Sequence, residues 1–139
     1  MDTVRDWMSQ PPICISDSTT LPEARRLMHR YRVRRLPVLD RDGRLVGIVT
    51  EGDINRISDS QAHDMRQYNL YHRVVDLPVR DFMTRTVITV GPDDPVIAVA
   101  QLLLHHRIGG VPVIDEGRVI GVITESDLFR RMVERETQH

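Results

Sequence analysis

Aliphatic runs alternate with short polar turns along this chain, and their order is written twice. Leu45-Val46-Gly47-Ile48-Val49 is matched by Val119-Ile120-Gly121-Val122-Ile123. Both runs are uniformly aliphatic and β-branched, as strands buried on both faces tend to be. Each follows another apolar run, Leu36-Pro37-Val38-Leu39 or Val111-Pro112-Val113-Ile114, across a polar turn at Asp42-Gly43 or Glu116-Gly117. Each pair therefore predicts a hairpin. Upstream, Leu21, Ala24, Leu27, Met28 and Tyr31 fall at helical spacing behind Thr20-Leu21-Pro22-Glu23, which has the spacing of a capping box. Val96, Val99, Ala100, Leu103 and His106 form the second stripe. Asp94-Pro95 reads there as an N-cap with proline at the first helical position. Short β segments are predicted before these helices, at Ile13 to Ile15 and at Ile88 to Val90. A last helix is predicted to begin at Thr50 and again at Thr124.

The repetition extends to individual residues. Val4-Arg5-Asp6-Trp7-Met8-Ser9 returns as Val79-Arg80-Asp81-Phe82-Met83-Thr84. Gly47-Ile48-Val49-Thr50-Glu51-Gly52-Asp53 returns as Gly121-Val122-Ile123-Thr124-Glu125-Ser126-Asp127. One deletion separates the copies: Asp40-Arg41-Asp42-Gly43 shortens to Asp115-Glu116-Gly117 at a hairpin tip, where length changes are tolerated. The expected organisation is one repeat over residues 1–60, a helical extension and polar linker over 61–75, and a second repeat over 76–139. A unit of about 60 residues is marginal alone. Two β-α-β-β-α units packed face to face, with pseudo-two-fold symmetry, would bury both sheets and leave a cleft between the copies. The fold class expected is α/β, of the α+β kind.

Composition narrows the possible functions. The chain has 139 residues, of which 40% are hydrophobic and 4% aromatic, so the core must be aliphatic. Its formal net charge is -1, which argues against a protein that holds nucleic acid through many phosphate contacts. Cys14 is the one cysteine. It cannot form an internal disulfide, and a lone thiol fits a reducing compartment. No apolar run approaches the roughly 18 residues of a membrane helix, and Asp2, Arg5 and Asp6 interrupt any leader-like apolar stretch. A cytoplasmic protein with no membrane partner is the expectation. His29, His63, His72, His105, His106 and His139 make no zinc-ligand spacing, so no metal site is expected. No phosphate-binding glycine loop, nucleophile elbow or nucleophile–base pair is present in the sequence. No catalytic residue is assigned and no enzyme is expected.

The paired blocks, x-h-P-V-h-D and G-h-h-T-x-x-D, each occurring twice in register, resemble the CBS domain, named after cystathionine β-synthase. Two in tandem form a Bateman module, and the resemblance covers nearly all of the chain outside the linker. It implies a regulatory module that binds an adenosine compound in the cleft between the repeats. The implied ligand is AMP, ADP or ATP, with magnesium as a companion of ATP and no cofactor required. S-adenosylmethionine and NAD are alternatives. The resemblance also implies a homodimer, a disc of four repeats, that acts on an effector protein not identified by the sequence.

The residues at the second motif suit such a ligand. A strand is predicted to end where a helix begins, and free backbone N–H groups at a helix start attract anions. The Thr50 hydroxyl can donate to a phosphate oxygen, and the Asp53 carboxylate can accept both hydroxyls of a ribose diol. Thr124 and Asp127 repeat this arrangement. The same spacing also suits a helix cap, and the two roles are compatible. The resemblance implies that residues around the first motif line the cleft: Arg34, Arg35, Leu36 and Pro37 in one copy, Val111 and Pro112 in the other. Arg34 and Arg35 would meet phosphate. Gly109 and Gly110 stand at their places in the second copy, so unequal sites are expected. The glycines suit a tight turn or a close ligand approach. Ile13, Ile15, Ile88 and Val90 would wall an adenine slot, although aliphatic strand residues are core by default. The competing reading is a ligand-free assembly module with Trp7 and Phe82 as packing or interface anchors.

Overall fold

The computed structural model describes residues 2–58 and 77–137, and the predicted linker lies outside them. The chain divides into two compact units. The early unit is Ile13–Val87, and the late unit joins Met1–Pro12 to Ile88–His139. These units are not the sequence repeats. The Val4 block packs with the second repeat, and the Val79 block packs with the first. We call each such segment a strap.

In the early unit, strand β1 (Ile15–Ser16) runs parallel to β2 (Arg35–Leu39), which pairs antiparallel with β3 (Leu45–Thr50). Helix α2 (Leu21–Tyr31) connects β1 to β2, and helix α3 (residues 51–58) follows β3. The strap contributes a 3₁₀ turn, Val79–Asp81. Its Thr84 then pairs with Ile48 on the outer edge of β3. In the late unit, β4 (Gly110–Asp115) and β5 (Arg118–Thr124) form the hairpin. Helix α4 (Val96–His106) precedes it and α5 (Glu125–Thr137) follows it. The strap here carries the short helix α1 (Val4–Trp7), and Ser9 pairs with Val122 on β5.

The cores correspond at eight positions, and the early one adds Leu21 and Ile54. Ile15, Leu21, Ala24, Met28, Leu36, Val38, Val49, Val79 and Met83 pack in the early unit. Val90, Val99, Leu103, Val111, Val113, Ile123, Val4 and Met8 pack in the late one. Both straps therefore deliver a valine and a methionine to a core. Gly47 and Gly121 explain the close docking of those methionines. A Cβ on Gly47 would lie 2.4 Å from the Met83 sulfur, and one on Gly121 would lie 2.7 Å from the Met8 sulfur.

Several local expectations are corrected. Thr20 is the N-cap of α2 but makes no side-chain cap bond. Pro22 at the second helical position has no N–H to give it, and the first free N–H, that of Leu21, goes to the Leu77 carbonyl at 2.9 Å. Asp94 does not cap α4: the N-cap is Pro95, and the Asp94 carboxylate accepts the Gly91 N–H instead. The Asp2 carbonyl accepts the Val96 N–H at 3.2 Å, so each strap serves the start of a helix. The β segment predicted at Ile88 to Val90 is reduced to one bridge, Val90 to Val113, and that at Ile13 to Ile15 begins only at Ile15. Thr50 and Thr124 end strands and stand just before their helices. Tyr31 and His106 end their stripes exposed, because Arg32 and Arg107 leave the helix in the left-handed conformation, both at φ 55°. Of the two roles that Gly109-Gly110 suit, the tight turn is not seen: the positive φ falls on Arg107, and Gly110 opens β4.

Candidate functional site

Each unit carries the same junction, where a strand hands over to a helix. Thr50 is the last residue of β3 and Asp53 lies in the first turn of α3. The Thr50 N–H donates to Asp53 Oδ2 at 3.0 Å, and the Asp53 N–H donates to Thr50 Oγ1 at 3.1 Å. This is a reciprocal capping box, which satisfies backbone donors that a helix start leaves open. The late unit repeats it. The Thr124 N–H donates to Asp127 Oδ2 at 2.9 Å, and the Asp127 N–H donates to Thr124 Oγ1 at 3.3 Å. Both aspartates are buried, at 5% and 3% relative exposure.

A buried carboxylate needs hydrogen bonds, and an ion pair where one is within reach. Arg56 Nη2 donates to Asp53 Oδ1 at 2.8 Å, and Arg130 Nη1 donates to Asp127 Oδ1 at 3.2 Å. Both arginines lie one helical turn on and keep most of their side chains in solvent. The strap adds a hydroxyl to each aspartate. Thr84 Oγ1 donates to Asp53 Oδ2 at 3.3 Å, and Ser9 Oγ donates to Asp127 Oδ1 at 2.6 Å. Arg56, Arg130, Thr84 and Ser9 are absent from the residues expected at the site. The arginines follow the aspartates at i, i+3 spacing, a signal the sequence did carry. Ser9 and Thr84 end the repeated Val-Arg-Asp blocks, but nothing local ties them to the aspartates.

The hairpin register brings part of the expected set together within each unit. Arg35 sits opposite Thr50 across the β2–β3 ladder, and the Arg34 carbonyl accepts the Glu51 N–H at 2.8 Å. Gly110 sits opposite Thr124, and the Gly109 carbonyl accepts the Glu125 N–H at 2.9 Å. The segment before each h-P-V motif therefore lies beside a Thr-x-x-Asp junction. Arg34 is exposed and Arg35 partly so. Leu36, Pro37, Val111 and Pro112 are fully buried, and Leu36 and Val111 belong to the cores. Ile15 is a core residue on β1, which lies across β2 from Thr50. Ile13 and Ile88 are half-buried against their cores.

Trp7 and Phe82 are both packing residues. Phe82 lies against the early core. Trp7 lies against the late core, beneath the guanidinium groups of Arg131 and Arg135 at 5.9 and 5.4 Å from the ring centre. Among the described residues no group of three or more His, Cys, Asp or Glu side chains is placed to hold a metal ion. No described helix is long and apolar enough to cross a membrane.

Comparison with known proteins matches both repeats. The family model described as CBS domain matches residues 4–60 and 79–134. An L-aspartate semialdehyde sulfurtransferase of Methanocaldococcus jannaschii is 34% identical over 128 residues, which are 91% of this chain and 22% of that protein. The chain thus spans under a quarter of that relative's length. The CBS domain pair of protein MJ0100, solved in complex with 5′-methylthioadenosine and S-adenosyl-L-methionine, is 32% identical with a TM-score of 0.77. That match covers 96% of this chain and 98% of the other. CBSX2, solved in complex with AMP, is 27% identical with a TM-score of 0.79, and the coverage is again 96% and 98%.

Proposed function

The chain belongs to the CBS-domain family, and from that premise we propose that it is a non-catalytic regulatory module for an adenosine-containing ligand of the AMP, ADP or ATP class. The observation that carries this reading is the duplicated junction. In both units a threonine and a buried aspartate stand at a strand-to-helix handover, beside the segment that precedes the h-P-V motif. Solved relatives with the same tandem fold hold AMP, 5′-methylthioadenosine and S-adenosyl-L-methionine. In this reading the aspartates receive the ribose hydroxyls and the threonines face phosphate oxygen. Arg34 and Arg35 meet the phosphate charge in the early unit, where glycines replace them in the late unit. Magnesium enters only as a companion of ATP.

Thermal melting with a ligand panel tests the proposal. A ligand present at about 100 times its Kd adds about 2.7 kcal/mol, which raises the Tm of a chain this size by several degrees. AMP, ADP or ATP is expected to do so, and Asp53→Ala combined with Asp127→Ala to abolish the effect. A Tm that none of AMP, ADP, ATP, S-adenosylmethionine and NAD moves would overturn the reading.

One observation favours self-association as well. The late unit carries a groove of about 750 Å³ between α4 and α5, lined by Trp7, Ile97, Leu104, Phe129 and Met132. Ile97 is 66% exposed, Leu104 80% and Phe129 61%. An apolar patch of this kind on a globular protein marks an interaction surface. Arg107 and Glu125 also line it, so the surface carries both charge signs and can complement a copy of itself about a two-fold axis. We assign it to a homodimer through which ligand state reaches an effector protein. Without a ligand, the same surface would serve a plain assembly module.

A further inference from the structure

We propose that Ser9 gates the late junction, so that the two junctions fill in order, Asp53 before Asp127. This rests on the adenosine-ligand reading above and adds the regulation of that same site.

A carboxylate offers about four acceptor positions on its two oxygens. Asp127 uses all four on protein donors. Oδ1 accepts from Ser9 Oγ and Arg130 Nη1, and Oδ2 accepts from the Thr124 N–H and Thr124 Oγ1. Among the described residues Asp53 uses three: Oδ1 accepts from Arg56 Nη2, and Oδ2 accepts from the Thr50 N–H and Thr84 Oγ1. One hydroxyl of a ribose diol can therefore join Asp53 with nothing displaced, and the second needs only the long Thr84 contact to give way, but at Asp127 a donor has to leave before either can bind.

The strap hydroxyls differ in the same sense. Ser9 lies 2.6 Å from its carboxylate oxygen, in the range of short charge-assisted O–H···O⁻ bonds. Thr84 lies 3.3 Å from its partner, beyond the ordinary range for a hydroxyl donor. Two of the Asp127 donors lie outside the helix cap, Ser9 and Arg130; the cation offsets the buried negative charge, so the neutral hydroxyl is the one that a sugar hydroxyl replaces like for like. The Thr124 donors belong to the helix cap, whereas Ser9 is exposed and sits at the end of a strap. Its backbone pairing to Val122 does not depend on the hydroxyl. A ribose diol arriving at Asp127 thus replaces the Ser9 hydroxyl, and occupancy of that junction loosens the strap's side-chain hold on the late unit.

Calorimetric titration of the intact chain with AMP tests this. Two binding steps are expected: the tighter is lost in Asp53→Asn and the weaker in Asp127→Asn. Ser9→Ala removes the competing donor and strengthens the weaker step about fivefold to tenfold, while Ser9→Thr keeps the hydroxyl and leaves it near wild type. Ser9→Cys, which replaces the hydroxyl by a weak donor at nearly the same size, shifts the step in the same direction, so the test survives if Ser9→Ala folds poorly. If wild type binds AMP but Ser9→Ala and Ser9→Cys leave the weaker step unchanged or weaken it, the gate is overturned and the ligand reading stands. If wild type and Ser9→Ala, both melting cooperatively, take up none of AMP, ADP, ATP, S-adenosylmethionine and NAD, both fall.

Discussion

The two aspartates are buried in matching capping boxes, and their unequal donor sets make them separable. Asp127→Ala leaves four donors without their acceptor and is expected to cost about 2 kcal/mol, against about 1 kcal/mol for Asp53→Ala. Urea denaturation of the two variants checks the order. Cys14 offers a second check at this scale. Burial pushes its thiol above the ordinary range, which lowers the thiolate fraction that reacts. Iodoacetamide at pH 8 should therefore label it far more slowly in the folded chain than in urea. The Thr-x-x-Asp pairs were legible because their geometry is local, closed by one helical turn. The Ser9 hydroxyl was not, because it reaches Asp127 from 118 positions away and no periodicity links them.

The secondary-structure elements were legible to the extent that their own residues determine them. Both hairpins and the α2 and α4 stripes follow from apolar spacing alone. Caps and boundaries were misread where another segment supplied the partner. Thr20 had the sequence of a capping box, yet it makes no side-chain cap bond, and the helix start is met instead by the Leu77 carbonyl on the Leu21 N–H. Gly109-Gly110 looked like the turn, yet Arg107 takes the left-handed conformation. That conformation is costly for a residue with a Cβ and free for glycine. Arg107→Gly is accordingly expected to raise stability by about 0.5–1 kcal/mol, read as an increase in Tm. The glycines at strap contacts predict the opposite. Gly121→Ala would place a Cβ 2.7 Å from the Met8 sulfur and 2.9 Å from the Ser9 carbonyl oxygen. A cost of about 1–3 kcal/mol follows, with faster amide exchange expected across residues 3–10 than in the rest of the late unit.

At the scale of the molecule, duplication was plain in the sequence, because three blocks return in the same order. What each block packs against was not. Val4-Arg5-Asp6-Trp7-Met8-Ser9 and Val79-Arg80-Asp81-Phe82-Met83-Thr84 are near copies, and copies cannot indicate which half each one completes. The unequal surfaces could be read in part. Arg25, Arg26, His29 and Arg30 on α2 have Ala100, Gln101, Leu104 and His105 as counterparts on α4, so the apolar face belongs to the late unit. If that face joins two copies, Phe129→Glu should convert a dimer to a monomer in sedimentation equilibrium. Arg26→Glu should leave the mass unchanged.

The two straps also decide what would happen if the gene were cut at its repeat boundary. A fragment of residues 1–60 would retain Val4 and Met8, which serve the other half, and would lack Val79 and Met83. Because the two segments are so alike, such a fragment could lend its leading residues to a twin and receive the twin's in return. Its recovery as a swapped pair of half-length chains would follow from the way the intact protein is wound.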